Sequence, residues 1–154
     1  MTIIPYSREY RDDMIFMILE AKDALGRIPR INDDLLDIEG RYLDRGDGFW
    51  LALEERGGVM RVIGSVGYNR IPGTDEAYLH RLYVKPGLHR QGIGSALLRT
   101  AEEAMRERGI RLCRVHLGAP RSLYYESYAF YPKHGYRESG TRYMEKELAP
   151  WSGE

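Results

Sequence analysis

The stretch Tyr83-Val84-Lys85-Pro86-Gly87-Leu88-His89-Arg90-Gln91-Gly92-Ile93-Gly94-Ser95-Ala96-Leu97 sets narrow limits on how this chain can fold. Its apolar start reads as the end of a strand, and Pro86-Gly87 as a turn. The run from Gly92 to Arg108 reads as a helix, with Ile93, Leu97, Thr100, Ala101 and Ala104 as its apolar stripe and Gly109 as its stop. The first amides of such a helix have no internal partners, and the macrodipole leaves partial positive charge at that end. Glycines at 92 and 94 clear side chains from the approach, so an anion can rest directly on backbone N–H groups, with His89 and Arg90 as added donors. A pyrophosphate is the natural guest. Two other phosphate motifs do not fit: the P-loop needs Lys and then Ser or Thr after its second glycine, and here Ser95-Ala96 follow Gly94. The dinucleotide fingerprint needs three glycines over six residues, and only two are present. Tight helix–strand packing alone would explain the two glycines, but not the Val-x-Pro before them together with the stripe behind them.

The rest of the chain fixes the setting. With 154 residues it suits one domain over residues 1–148, followed by a short tail over 149–154. Basic and acidic side chains number 23 each, which argues against a polybasic nucleic-acid binder. The longest apolar run, Met14 to Leu19, is far short of the roughly 20 residues that span a bilayer. Pro5, Arg8 and Glu9 interrupt any signal-peptide core, and a single cysteine, Cys113, rules out an internal disulfide and a cysteine-cluster metal site. The expected setting is therefore cytoplasmic. Residues 1–80 carry ten basic and fifteen acidic side chains, and residues 81–154 carry thirteen and eight. Chance and solvated faces explain this as well as an anion met by the second half and a cation by the first.

Elsewhere the periodicity predicts a helix from Ser7, as N-cap, to Leu25, and a shorter one from Asp33 to Leu43 behind Asn32. Phe49–Leu53 and Val59–Tyr68 read as strands around Arg56-Gly57-Gly58, and Ala77–Val84 as a third strand. Leu112–Leu117 is a fourth, the Tyr-rich segment Tyr124–His134 is helical despite Pro132, and Tyr136–Ser139 with Arg142–Leu148 close the chain as two more strands. Residues 149–154 read as an unstructured tail, with Trp151 docked. The fold class is α/β: a mixed, mostly antiparallel sheet flanked by helices, with one parallel pair joined through the helix that starts at Gly92.

Val84-x-Pro86 followed by Arg90-Gln91-Gly92-Ile93-Gly94-Ser95-Ala96-Leu97-Leu98 resembles the acetyl-CoA-binding signature of the GCN5-related N-acetyltransferases. A second segment, Phe130-Tyr131-Pro132-Lys133-His134-Gly135-Tyr136, is similar to that family's helix-to-strand passage, and Met144–Leu148 looks like its final strand. The resemblance covers nearly the whole chain and implies transfer of an acetyl group from acetyl-CoA, as co-substrate and without a metal, to a primary amine. It implies that Leu82, Tyr83 and Val84 offer backbone groups to the pantetheine arm. His89, Arg90, Gln91, Gly92, Ile93, Gly94 and Ser95 would then surround the pyrophosphate. Tyr131 would face the acetyl-CoA sulfur and protonate the leaving thiolate. The acceptor, a small-molecule amine, would meet the two N-terminal helices and the Tyr-rich segment, and a homodimer is left open.

Three positions depart from the family pattern: His89 stands where Gln or Arg is usual, Tyr78 where many members carry a Glu that receives the amine proton, and Gly118–Ser122 lacks a common Asn. A base is therefore sought elsewhere. His80, two residues before Leu82 on the central strand, has an ordinary pKa suited to the task, about 6.5, although a partly exposed strand histidine would look the same in sequence. Glu76, His116 and ordered water are the alternatives. Of the five tyrosines 124, 125, 128, 131 and 136, most must pack or line a rim. The four histidines are widely separated, which gives no metal-ligand spacing. Two other readings stay open: a catalytically weak CoA-binding or sensing module, and an acetyltransferase for protein N-termini or lysines.

Overall fold

A computed structural model describes residues 1–153. Seven strands form one sheet: β1 (Thr2–Pro5), β2 (Gly48–Arg56), β3 (Val59–Arg70), β4 (Glu76–Val84), β5 (Leu112–His116), β6 (Arg137–Gly140) and β7 (Tyr143–Glu147). Their spatial order is β1-β2-β3-β4-β5-β7-β6. β4 and β5 pair in parallel and every other neighbouring pair is antiparallel. The parallel pair is joined through α3 (Ile93–Glu107), because a parallel return needs a crossover that a hairpin cannot supply.

Two apolar clusters use the two faces of the sheet, as the alternation of strand side chains requires. On one face, Ile93, Leu97, Leu98, Ala101 and Met105 of α3, with Tyr131 of α4 (Tyr125–Lys133), cover Ala52, Ile63, Leu79, Ala77 and Cys113. On the other face, Met14, Met17 and Ile18 of α1 (Arg11–Ala24), with Leu35, Ile38 and Tyr42, cover Phe49, Leu51, Leu53 and Val62. Thr100 and Ala104, expected in the stripe of α3, are only half-buried, and Leu98, Glu102 and Met105 take the inner positions. Glu102 can do so because Tyr136 Oη donates to it at 2.7 Å and Lys146 Nζ at 3.0 Å.

The N-terminal region differs from its sequence pattern. A short strand, β1, pairs with β2 from Thr2↔Leu53 to Pro5↔Trp50; its four residues carry too little alternation to be read. The predicted Ser7 helix is a 3-10 turn (Arg8–Tyr10) followed by α1, and Ser7 does not cap it: its hydroxyl reaches Glu9 at 3.4 Å. The predicted helix over 33–43 is broken into a 3-10 turn (Asp33–Leu36), the one-turn α2 (Ile38–Arg41) and a second 3-10 turn (Leu43–Arg45). Asp37 restarts the helix there by accepting the Gly40 N–H at 3.1 Å, which is the side-chain capping that competes with helix propagation. The tail lies along α3, with Arg106 donating to the Ala149 and Pro150 carbonyls at 2.8 and 3.2 Å and facing the Trp151 ring; Glu154 lies outside the described residues.

Close packing at β3 gives a stability prediction. A Cβ at Gly67 would stand 2.4 Å from Cδ2 of Phe49, a buried ring wedged edge-on between Tyr6 and Tyr42. Gly67→Ala is expected to destabilise the fold by about 1–3 kcal/mol through overpacking, read as a lower urea midpoint at unchanged slope. An unchanged midpoint would mean that this ring can move aside.

Candidate active site

The parallel pairing of β4 with β5 lasts for three residues only: Glu76↔Leu112, Ala77↔Cys113 and Tyr78↔Arg114. Beyond that point β5 stays with β7 through Val115↔Met144 and His116↔Tyr143. The edge of β4 from Leu79 to Val84 that faces β5 is left without a strand partner, and the two strands part into a wedge. Its unpaired N–H and C=O groups can bind an extended, amide-bearing ligand as an added strand would.

A bulge in β4 accompanies the parting. Ser65 pairs with Tyr83 and Gly67 with His80, so Arg81 and Leu82 together oppose Val66. Arg81 takes a left-handed φ of 58°, which costs a non-glycine residue about 1–3 kcal/mol. Three bonds hold it there: Ser65 Oγ donates to its carbonyl at 2.7 Å, and its guanidinium donates twice to Asp34, at 2.9 and 2.8 Å. Tyr42 Oη donates to the same carboxylate at 2.6 Å. Burial pushes the Asp34 pKa up, but these donors outweigh it and hold the carboxyl below its usual range.

The open end of the wedge leads to the start of α3. Gly92 is the N-cap, at φ 79°, and neither a side-chain cap nor an acidic residue occupies the first turn. His89, Arg90, Gln91 and Gly92 are exposed around the free amides, while Ile93 turns its side chain into the core. Ser95 Oγ lies 3.0 Å from His134 Nε2. A Cβ at Gly94 would find Phe130 at 3.5 Å and Val84 at 3.6 Å, ordinary contacts, so packing alone does not demand glycine there. Leu82 and Val84 lean on the α3 face of the sheet, and Tyr83 leans on the α1 face.

Tyr131 is buried in α4, with Phe130 and Tyr136 edge-on at 5.2 and 5.3 Å. Burial, then the nearby Cys113 and Tyr83, push its pKa well above the usual phenol value. Its hydroxyl therefore stays protonated near neutral pH and can give a proton rather than take one. The other four tyrosines of the segment are engaged or exposed. Tyr136 bonds Glu102 and lies 3.2 Å from Cys113 Sγ, Tyr128 lies under Arg121, Tyr124 under Arg27, and Tyr125 faces solvent. The Arg27 contact ties the loop after α1 to the segment before α4.

His80 sits on the other face of β4, where it lines a cavity of about 330 Å³ together with Asn32, Asp33, Tyr42, Asn69 and Arg81. Its ring is stacked on Tyr78 and meets Tyr42 edge-on, and Nδ1 lies 3.1 Å from Asn69 Oδ1. Burial, then the Arg81 charge, hold its pKa below the usual imidazole value, so the ring is neutral at pH 7. The other candidate bases are occupied. Glu76 takes the Arg114 guanidinium at 2.8 Å, and His116 stacks on Tyr143 with Arg142 at 2.9 Å from its Nε2. His80 and Tyr131 thus lie on opposite faces of the sheet at the strand that forms the wedge. Asp34, Asn69 and Arg81 were invisible in the sequence, because ordinary polar residues in a turn and two strands carry no spacing signal.

The Acetyltransferase (GNAT) family profile matches residues 13–136. N-acetyltransferase 8 of Rattus norvegicus is 37% identical over 81 residues, which are 51% of this chain and 36% of that protein. The chain spans less than half the length of the curated relatives it matches. An acetyltransferase of the GNAT family from Staphylococcus aureus Mu50 superposes with a TM-score of 0.83 at 25% identity, covering 96% of this chain and 99% of that one. The PaiA N-acetyltransferase of Thermoplasma acidophilum, solved in complex with coenzyme A, gives 0.69 at 24% identity, with 96% and 99% covered. A profile match over most of the length, on the fold and the glycine-bearing helix start described above, places this chain in the GNAT acetyltransferase family.

Proposed function

We propose that the protein transfers an acetyl group from acetyl-CoA to the primary amine of a small molecule, as a single domain over residues 1–148, in the cytoplasm. The observation that carries this is the wedge: an unpaired strand edge that opens onto the bare N-terminus of α3, with a protonated tyrosine buried on one side and a neutral histidine on the other. The residues fit the co-substrate. Backbone groups of Leu82, Tyr83 and Val84 would hold the amide-bearing arm, and the amides of Gly92 to Ser95 the pyrophosphate, with His89, Arg90 and Gln91 around it. When bound, acetyl-CoA supplies an activated acyl carbon. His80 takes a proton from the acceptor's ammonium. The neutral amine forms the C–N bond as the C–S bond breaks, and Tyr131 gives its proton to the departing sulfur. The second proton, shed by the new amide nitrogen, returns through solvent to Tyr131. The single cysteine asks for no oxidising compartment.

The test is thiol release from acetyl-CoA across a panel of small amines, amino acids and peptides. Amine-dependent release with a small molecule is expected. Binding of acetyl-CoA with no release by any amine would instead make the protein a CoA-sensing module, and release with peptides alone would make it a protein acetyltransferase. The low His80 pKa adds a pH prediction. The base form persists down to its pKa, so the acidic limb of kcat/KM should fall below the usual value of about 6.5. His80→Gln should remove that limb, and a limb that survives the substitution would assign it to another group.

A further inference from the structure

Asp47 is buried, and its carboxylate has no ion-pair partner among the described residues. One oxygen takes the Arg70 backbone N–H at 3.2 Å and the other takes the side-chain amide of Asn69 at 2.9 Å. A buried carboxylate is costly to keep unless its oxygens are bonded. Asn69 Nδ2 also donates to the Arg41 carbonyl, at 2.9 Å. With acceptors on both amide hydrogens, the amide cannot be reversed without setting oxygen against oxygen. Its Oδ1 is therefore the atom that faces His80 Nδ1 at 3.1 Å. An amide oxygen only accepts, so in the neutral imidazole Nδ1 carries the hydrogen and Nε2 the lone pair.

We infer that Asn69, held by Asp47, is a positioning residue that sets the tautomer of His80 and keeps Nε2 as the nitrogen available to the acceptor amine. The inference rests on the acetyl-transfer reading for its use, but not for its geometry. The groups that face the ring are Tyr78 on the same strand, Tyr42 after α2, Arg81 beside it, Asp34 in the 3-10 turn Asp33–Leu36 and Asp47 before β2. Arg81 opposes the imidazolium and the two carboxylates favour it. Those charges bear on whether the ring is protonated. Among the described residues, Asn69 alone makes a hydrogen bond to the ring, and that bond favours hydrogen on Nδ1 once the ring is neutral. A ring without that acceptor can place its hydrogen on Nε2, where it has no lone pair to offer.

The experiment is ¹⁵N NMR of histidine-labelled full-length protein at neutral pH, with thiol-release kinetics on the same variants. The His80 signals, assigned by their loss in His80→Gln, should show hydrogen on Nδ1. In Asn69→Leu the hydrogen should move to Nε2 and kcat/KM should fall by about 10²-fold, the order expected when a general base is lost. Asn69→Gln keeps an amide, with hydrogens for Asp47 and the Arg41 carbonyl and an oxygen for Nδ1, so it should retain the wild-type tautomer and more of the rate than Asn69→Leu. It also provides a reading if the leucine variant fails to fold. Hydrogen on Nε2 in the wild-type protein, or hydrogen that stays on Nδ1 in Asn69→Leu, overturns the inference. The NMR readout needs no turnover: absence of acetyl transfer would defeat the functional reading while leaving the tautomer assignment standing.

Discussion

Tyr131→Phe is expected to lower kcat by about 10²–10⁴-fold, the range typical of general acid catalysis, while leaving acetyl-CoA affinity nearly unchanged. The reasoning is geometric and then electrostatic. The ring is packed in the α3 face of the sheet, edge-on to Phe130 and Tyr136, and phenylalanine preserves those contacts. Only the hydroxyl is lost, a group that burial keeps protonated. Because its ring is retained, the variant should fold and bind, so kcat and not KM should carry the change. A thiolate is a fair leaving group and water can stand in for the phenol, which places the effect toward the lower end where another step shares rate limitation. Wild-type kcat in the variant, under conditions where chemistry limits the rate, would remove Tyr131 from the mechanism.

Gly94→Glu is expected to abolish acetyl-CoA binding altogether. The substitution places a carboxylate at the second residue of α3, among the amides proposed to hold the pyrophosphate. An acidic side chain in a first helical turn is favourable for the helix itself, and a Cβ at 94 has ordinary contact distances to Phe130 and Val84. Folding should therefore survive while the anion site is lost. In the wild-type protein, acetyl-CoA at a hundred times its Kd should stabilise by about 2.7 kcal/mol, or roughly 5–10 °C in Tm for a chain of this size. That shift should vanish in Gly94→Glu and persist in Gly94→Ala, whose methyl group has room. Native affinity in a folded Gly94→Glu variant would contradict the placement of the pyrophosphate.

The parts of this molecule legible in its sequence are those where one segment carries its own signal. The strand–turn–helix around Gly92 could be read because a glycine pair, a proline and an apolar stripe sit within a few residues of each other. The parallel β4–α3–β5 unit follows from it, and Tyr131 could be nominated because Phe130–Tyr136 resembles the family's helix-to-strand passage. The N-terminal region was less legible because its structure is decided by distant partners. Asp37 captures the Gly40 amide and Asp34 takes Arg81 and Tyr42, which breaks a helix that the apolar spacing alone would continue. β1 exists only through its pairing with β2. His80 could be nominated from its position on the central strand, but its suitability depends on burial and on Asn69, eleven residues away across a hairpin. The widening between β4 and β5 has no sequence signature either; it goes with a bulge opposite Val66 and with the pairing of β5 to β7.

The central claim is that acetyl-CoA lies in the wedge with its sulfur beside Tyr131 and its pyrophosphate on the first turn of α3. The measurement that addresses this most directly is a crystal structure of the protein with coenzyme A bound. The account predicts phosphate oxygens on the amides of residues 92–95, the pantetheine arm paired with the free edge of Leu82–Val84, and the thiol within hydrogen-bond reach of the Tyr131 hydroxyl. A coenzyme bound elsewhere, or seated on α3 with its thiol directed away from Tyr131, would contradict it.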